Sequence, residues 1–182
     1  YDGQGSSKTV KHNLRKKPEL VIIRKLNSYT DWQVYAQGIT SPNSNWWQNR
    51  MYANYTNAAD SNTNQLTAEP TDDELYVGST NAVGASGSRY MAFLFASVEG
   101  VSKVGTYTGS HPNNQVVQCG FSPRFILMKR ADATGNWWFF DTHRGINNAA
   151  ADPTLNWNTN SPEVTNLDQL FPHNSGFGLF AT

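Results

Sequence analysis

The stretch "NWWFFDTHRG", Asn136 to Gly145, places an acid, an imidazole and a guanidinium directly after four aromatic residues. Asp141, His143 and Arg144 are residue types that transfer protons or bind anions, so an active site is the first hypothesis to weigh. An Asp and an Arg that close a strand are, however, more typical of a structural ion pair than of catalysis. We therefore expect no catalytic residue here and predict that the chain is not an enzyme.

Other groups that could hold a metal or do hydrolytic chemistry lack the necessary spacing. The four histidines show no ligand pattern such as HxH or HExxH; they are His12, His111, His143 and His173. The acidic run from Asp72 to Glu74 lacks both the full calcium-loop pattern and a second carboxylate at predictable distance. Cys119 is the single cysteine, which excludes an intrachain disulfide and a cysteine-based zinc site. We predict no metal and no cofactor.

Composition excludes several classes of partner. The formal net charge is zero and only 15% of residues are charged, so there is no electrostatic basis for binding nucleic acid. The longest apolar run, "MAFLFA" from Met91 to Ala96, has the length of a strand, so we expect no membrane insertion. Because the chain does not begin with Met, we expect it to be a piece of a longer protein.

Two long segments of the chain resemble each other. "KKPELVIIRKLNSYTDWQVYA" (Lys16 to Ala36) matches "FSPRFILMKRADATGNWWFFD" (Phe121 to Asp141). The matched positions are Pro18 with Pro123, Arg24 with Lys129, Trp32 with Trp137 and Tyr35 with Phe140; further out they are Tyr1 with Tyr107, Gly3 with Gly109, Asn54 with Asn158, Leu66 with Leu170 and Leu75 with Leu179. The sequence therefore predicts two repeats, residues 1–106 and 107–182. The second lacks a counterpart of "YMAFLFA", Tyr90 to Ala96.

Each repeat reads as a hairpin within an all-β fold. "PELVIIRK" is apolar on both faces, which is typical of a strand covered on each side. "NSYTD" and "DATGN" carry turn residues and are followed by a second strand. We predict an all-β fold, a β-sandwich built from two related repeats, the second incomplete. In the second strand we expect the Trp32 and Trp137 face to point to the core. We expect the Gln33 and Trp138 face to be partly exposed.

Two aromatic pairs are candidate binding residues. Trp138 and Phe140 are expected on the more exposed strand face, where they would either pack against another domain or subunit or stack on a sugar ring. Trp46 and Trp47 lie in the Asn-rich loop "SPNSNWWQN". They would either fold back as a lid on the core or contact a ligand or partner. These four residues are the predicted binding positions.

The missing strand of the second repeat has three possible replacements. The strand could lie outside this chain, "YMAFLFA" of the first repeat could serve both halves, or a neighbouring subunit could donate one. We expect shared or intersubunit pairing, and hence a homo-oligomer.

The order of motifs resembles a known family. "FLFASVEGVSKVGTYTG" precedes "CGFSPRFILMKRADATGNWWFFDTHRG", an Asn-rich loop follows, and then "NSGFGL". This is similar to a domain of uncharacterised function in tail-fibre and other virion proteins of marine bacteriophages, cyanophages in particular. There it often neighbours concanavalin-like modules and occurs in tandem. The matching residues are Gly120, Phe121, Pro123, Phe125, Lys129, Arg130, Trp137, Asp141, Arg144, Gly176 and Phe177.

The resemblance implies a location rather than a chemistry. It implies a non-enzymatic structural module on the surface of a phage virion, a tail-fibre or surface-fibre segment involved in host attachment. Its expected partners are other virion subunits and, as a further candidate, a host surface glycan. The alternatives are a stand-alone carbohydrate-binding module and a capsid-decoration protein. An enzyme that degrades surface glycans would need two acids placed by the fold.

Overall fold

The described residues, 1–146 and 151–181 of this computed structural model, form two compact units whose regular secondary structure is almost entirely β-strand. Unit 1 comprises Tyr1–Ser97, Val104–Thr106 and Ala131–Thr134; unit 2 comprises Val98–Lys103, Tyr107–Arg130 and the chain from Gly135 onward. One turn of 3-10 helix, Trp46–Gln48, interrupts the strands. The all-β sandwich expected from the sequence is confirmed. No helix in the described ranges has the length and apolar character needed to cross a bilayer.

Unit 1 consists of two antiparallel sheets. Its strands are β1 (Lys8–Lys11), β2 (Leu20–Lys25), β3 (Gln33–Ala36), β4 (Asn49–Tyr52), β5 (Asp60–Ser61), β6 (Glu74–Val77) and β7 (Tyr90–Phe95). The larger sheet has the order β5-β4-β3-β2-β7, and β1 pairs with β6 in the smaller one. The central β2 carries Val, Ile and Ile in succession, so side chains on both of its faces can be buried.

The core of unit 1 lies between these two layers. Val21 and Ile23 of β2 and Tyr35 of β3 pack with Leu75 and Val77 of β6, and all five are fully buried. The Tyr35 hydroxyl donates a hydrogen bond to the buried side chain of Gln65, so its polar end is satisfied inside the core. Burial raises the pKa of Tyr35 well above its ordinary value.

Unit 2 repeats the two-layer plan with fewer strands. Its strands are β8 (Gln115–Gln118), β9 (Phe125–Lys129), β10 (Trp137–Asp141), β11 (Leu155–Asn156), β12 (Leu170–His173) and β13 (Gly176–Leu179). One sheet has the order β11-β10-β9 and the other β12-β13-β8. Ile126 and Phe140 from the first sheet pack with Leu170 and Phe177 from the second. These four side chains are buried and form the core of unit 2.

The strand pairings in the two units agree with the alignment of the repeats. Val34 of β3 pairs with Met51 of β4, and in unit 2 the aligned Phe139 of β10 pairs with Leu155 of β11. Further out, the β4–β5 pairing recurs in unit 2 as an isolated bridge between Thr154 and Val164. The matched sequence columns therefore correspond to the same register of antiparallel pairing.

In each unit one asparagine side chain binds the backbone at the start of the second hairpin strand. The Asn54 amide oxygen accepts the Trp32 backbone N–H at 3.1 Å, and Asn158 accepts that of Trp137 at 2.8 Å. Each amide nitrogen donates as well, to the Asp31 carboxylate in unit 1 and to the Asn136 amide oxygen in unit 2, both at 3.0 Å. The side chain thus satisfies a backbone donor just before the second hairpin strand.

The predicted match of Leu75 with Leu179 is two residues out of register. Leu66 pairs with Val77 in unit 1, whereas the matched Leu170 pairs with Leu179 in unit 2. The hairpin of unit 2 is shorter by two residues, so the core position of Leu75 is taken by Phe177.

The predicted exposure of one face of the second hairpin strand was wrong, whereas the expected burial of Trp137 is confirmed. Tyr35 and Phe140, expected on the more exposed face, have no exposed surface and lie in the two cores. The opposite face is covered as well, since Trp137 is buried and Trp32 is half-buried. Both faces of these strands carry large apolar side chains, although Gln33 on the Tyr35 face is polar, so the alternation of residues does not identify the face that meets the second layer.

The first strand of the hairpin, β2 in unit 1 and β9 in unit 2, has a partner on its outer edge only in unit 1. β7 pairs along β2 over six residues, from Tyr90 with Lys25 to Phe95 with Leu20. β9 pairs with β10, and no other strand within residues 1–146 and 151–181 pairs with it. The hypothesis that β7 serves both repeats is therefore wrong for the described chain, because β7 is bonded to β2 alone.

The burial of Phe140 predicts a large effect of truncation. Phe140→Ala should lower the free energy of unfolding by about 3–5 kcal/mol, because it leaves a cavity in the core of unit 2. Phe125→Ala, at a position that is 55% exposed, should cost less than about 1 kcal/mol. Calorimetric unfolding of both variants checks this, and equal losses would contradict the placement of the core.

Candidate ligand-binding surface

Trp46 is a core residue rather than a binding residue. Only 5% of it is exposed, and its indole N–H donates to the Glu69 carboxylate at 3.1 Å. Lys17 contacts the same carboxylate oxygen at 2.9 Å, and these two hydrogen bonds, that of Lys17 first, lower the pKa of Glu69. Trp47 is half-buried and meets the Trp46 ring edge-on at 6.2 Å. The loop folds back on the core, so an exposed Trp46–Trp47 pair is not formed.

Trp138 and Phe140 do not form a surface pair either. Their rings are nearly parallel, with centroids 6.4 Å apart, but Phe140 is fully buried. Trp138 is half-buried and packs against the core of unit 2. No flat pair of exposed rings is left at this position for a sugar to stack on.

Asp141 and Arg144 form part of an ion network. Arg144 contacts the Asp141 carboxylate through its guanidinium and also donates its backbone N–H to Asp141 at 2.8 Å. The same guanidinium contacts Glu163 at 2.9 Å and lies over the Phe139 ring at 5.0 Å. This arrangement fixes the loop after β10, as expected for a structural ion pair. His143 next to it is exposed.

Metal-binding side chains are dispersed in the described ranges, where no group of three or more His, Cys, Asp or Glu residues could hold an ion. An open cleft of about 430 Å³ lies where β1 ends and β6 begins, near His12 and Glu74. Glu74 accepts a hydrogen bond from the Tyr76 hydroxyl at 2.8 Å, so two of the polar groups lining the cleft bind each other.

A different group of aromatic residues lies on the surface of unit 1. We name this group the aromatic cluster, and its members are Tyr29, Trp32, Tyr52 and Tyr55. Tyr29 is 74% exposed and Tyr55 is 42% exposed. The Tyr55 ring meets the Tyr52 ring edge-on at 5.8 Å, and the Tyr29 and Tyr55 hydroxyls are 3.4 Å apart. The four rings thus lie around one end of the larger sheet.

Strand pairing brings the aromatic cluster together. Gln33 of β3 pairs with Tyr52 of β4, which sets the turn after Tyr52 beside the residues just before β3. The Ala53 N–H then donates to the Trp32 carbonyl at 3.1 Å. Tyr29 lies in the β2–β3 turn and Tyr55 in the turn after β4, so two turns distant in sequence present their rings together.

Charged groups hold fixed positions around the rings. The Arg24 guanidinium lies 5.8 Å from the Tyr29 ring and 5.5 Å from the Trp32 ring. Arg50 lies 4.8 Å from the Tyr52 ring and binds both carboxylate oxygens of Asp60, at 2.8 and 2.7 Å. A cation–π contact and a bidentate ion pair both restrict side-chain motion. The polar groups beside the rings are therefore preorganised.

A chain of hydroxyl contacts links Tyr55 to Asp31. The Tyr29 hydroxyl donates to the Asp31 carboxylate at 3.3 Å, so its oxygen is free to accept from Tyr55. Hydrogen bonding to Tyr29, and then to Asp31, raises the pKa of Tyr55 to about 12. The neutral hydroxyl is the donor in this chain, and loss of its proton would break the chain.

Sequence reasoning missed the aromatic cluster. Tyr29 lies in "NSYTD", a stretch that the sequence predicts to be a turn. Tyr55 follows a strand that was not predicted from the sequence. The stretches "SYTDW" and "MYANY" each contain two aromatic residues, but no sequence motif indicates that the two stretches lie side by side. The long-range register of β3 with β4 was needed to bring them together.

These features define a β-sandwich domain with an aromatic, polar surface on its first unit. The chain belongs to the family of the domain of unknown function DUF7483, whose model matches residues 1–180. Neither a curated protein nor a solved structure matches the chain.

The hydroxyl chain predicts a shifted titration. Tyr29→Phe removes the acceptor for Tyr55, so the pKa of Tyr55 should fall from about 12 towards the ordinary tyrosine value of about 10. Because the pKa is raised in the folded chain, the contact is complete below pH ~10 and is lost as the pH rises towards 12. Carbon-13 NMR of tyrosine rings measures the midpoint. Tyr107→Phe, in unit 2, is the matched control; an unchanged midpoint in Tyr29→Phe would refute the chain.

Proposed function

We propose that the chain is a non-enzymatic structural and attachment module that binds glycan through the aromatic cluster of unit 1. The observation that carries this proposal is the grouping of four aromatic rings, of which those of Tyr29 and Tyr55 are exposed, with charged groups in fixed positions beside them. Tyr29 is among the most exposed large side chains in the described residues, at 74%. Exposed rings held together in this way are typical of recognition surfaces rather than of cores.

The chemistry of the cluster suits a sugar. A pyranose presents a C–H face that packs on an aromatic ring and an edge of hydroxyls that need hydrogen-bond partners. Tyr29 and Tyr55 offer exposed rings, and the neighbouring Asp31 and Arg24 offer an acceptor and a donor. Because these groups are already held by contacts with each other, less conformational entropy is lost on binding.

The biological setting is supported by the sequence resemblance alone. The similarity to domains of marine phage tail fibres supports placing this module on the virion surface, with other virion subunits as partners and a host glycan as ligand. A stand-alone carbohydrate-binding module and a capsid-decoration protein are the alternatives. Negative-stain microscopy of virions labelled with antibody to this chain separates them: label on the fibres supports attachment, label over the capsid supports decoration, and unlabelled virions support a stand-alone module.

Glycan binding should depend on the aromatic cluster. A glycan array identifies a ligand, and calorimetry then compares variants. Tyr29→Ala and Tyr55→Ala should each weaken binding about tenfold, equivalent to about 1.4 kcal/mol, with little change in melting temperature because both side chains are exposed. Trp157→Ala, at an exposed position of unit 2, is the matched control and should bind as the wild type does. Equal binding by the Tyr29 and Tyr55 variants and the wild type would reject the site.

The non-enzymatic part of the proposal has its own test. Incubating the chain with the glycan that it binds should release no new reducing ends over the buffer control. Asp141 is tied to Arg144 through both its carboxylate oxygens, so it is not poised as a general acid. Release of reducing ends by the wild type that disappears in Asp141→Asn would show an enzyme instead.

A further inference from the structure

The outer edge of β9 is open at the position that β7 covers in unit 1. In the aligned repeats Phe125 and Leu127 of β9 correspond to Leu20 and Ile22 of β2. Those two residues pair with Phe95 and Phe93 of β7. Within the described chain β9 has β10 on one side and no strand on the other.

The backbone of β9 presents hydrogen-bonding groups to this open edge. The Arg124 carbonyl accepts the Thr142 N–H at 3.0 Å, so Arg124 faces β10. Successive residues of an antiparallel strand face opposite neighbours, so Phe125 and Leu127 direct their N–H and C=O groups outward. An edge of this kind is a template for pairing with another strand.

The core beside the open edge is less well covered than its counterpart. Val21 and Ile23 of β2 are fully buried, and they pair with Leu94 and Ala92 of β7. Both β7 residues pack against the core of unit 1, as does Tyr90. In unit 2 the position of Ile23 is held by Met128, which is only half-buried. On the opposite face of the strand, Phe125 is 55% exposed, whereas its counterpart Leu20 is half-buried.

A second feature lies next to this edge. In unit 1 the segment leading into β7 pairs with the start of the chain: Tyr90 donates its N–H to the Tyr1 carbonyl at 2.8 Å, and Gly3 donates to Ser88 at 2.7 Å. The Tyr1 ring stacks on the Tyr90 ring at 5.3 Å. The matched Tyr107 has no such strand partner among the described residues and is 43% exposed.

Gly3 and its match Gly109 also differ in having a close backbone neighbour. A Cβ on Gly3 would lie 2.2 Å from the Ala85 carbonyl oxygen, so glycine is needed there for the segment before β7 to pack. A Cβ on Gly109 would meet nothing within 4 Å. Gly109 thus leaves room for a close backbone neighbour, which the described residues of unit 2 do not supply.

We propose that the open edge of β9, together with Tyr107 and Gly109, is a strand-acceptor site for an extended peptide of the β7 type. We name it the acceptor edge. The occupant has the pattern of Gly84–Phe95: small residues that pack on Gly109, then alternating residues equivalent to Tyr90, Ala92 and Leu94 that cover Ile126 and Met128. It binds antiparallel to β9 through backbone hydrogen bonds, and its inward side chains give specificity.

A folded second copy of this chain does not fit as the donor. In a folded copy β7 is bonded to β2, and Gly84 and Ser88 are bonded to Gly5 and Gly3. These contacts engage the very backbone and side chains that the acceptor edge requires. The donor is therefore a strand that is not already paired in its own sheet. The acceptor edge lies in unit 2, and the proposal does not depend on glycan binding by the aromatic cluster.

A synthetic peptide tests the acceptor edge on the intact chain. The peptide carries the sequence from Gly84 to Ala96, "GASGSRYMAFLFA", with two lysines added at its end for solubility. Amide hydrogen exchange should slow about tenfold or more at Phe125 and Leu127 when the peptide is present. A peptide with aspartate at the positions of Tyr90 and Leu94 should neither bind nor slow exchange.

Gly109→Val provides the matched receptor variant. Gly109 has open space around it and no positive φ, so this variant should keep the melting temperature of the wild type. It should bind the full peptide at least about tenfold more weakly, a loss of about 1.4 kcal/mol. A shorter peptide from Tyr90 to Ala96 lacks the segment that packs on Gly109, so it should bind the variant and the wild type equally.

Three outcomes would overturn the proposal. The first is the absence of peptide binding by the wild type. The second is slow exchange at Leu127 in the peptide-free chain at every concentration, because the edge would then be closed already. The third is protection at Leu127 that grows with protein concentration and disappears on dilution, because a second folded copy would then be the occupant.

Discussion

Each unit depends on an antiparallel hairpin whose two strands are apolar on both faces. Val21 paired with Tyr35 in unit 1, and Ile126 paired with Phe140 in unit 2, supply the side chains on which the second layer packs. The backbone groups that the two strands direct at each other are paired, so this side of each strand can be buried without unpaired donors. The smaller layers, the turns and the surface groups take their positions from this pair.

The sequence was sufficient to predict the two hairpins and their turns, but not the face of each hairpin that meets the second layer. Matching Pro18 with Pro123 and Trp32 with Trp137 placed both turns correctly, because turn residues and strand length are local properties. The face that meets the second layer was assigned wrongly, since Tyr35 and Phe140 differ little in character from their sequence neighbours. Which apolar face receives the second sheet depends on strands such as β6, more than 35 residues away.

The candidate surface was harder to predict than the core. Polar neighbours left open whether Trp46 folds back on the core or contacts a ligand; the structure buries it, with its indole N–H satisfied by the Glu69 carboxylate. Tyr29 and Tyr55 looked like ordinary turn residues, and only the pairing of β3 with β4 brings them together. Surface recognition sites are formed by turns, and the distance between two turns is set by the whole sheet.

Deamidation of the asparagine at the start of the second hairpin strand would affect the two units differently. Deamidation would convert Asn54 or Asn158 to a carboxylate that still accepts the tryptophan N–H but no longer donates. At Asn158 the neighbour is the amide oxygen of Asn136, so one hydrogen bond is lost. At Asn54 the neighbour is the Asp31 carboxylate, so two negative charges would meet at hydrogen-bond distance. The same covalent change is therefore a minor loss in unit 2 and a repulsive one in unit 1, beside the aromatic cluster.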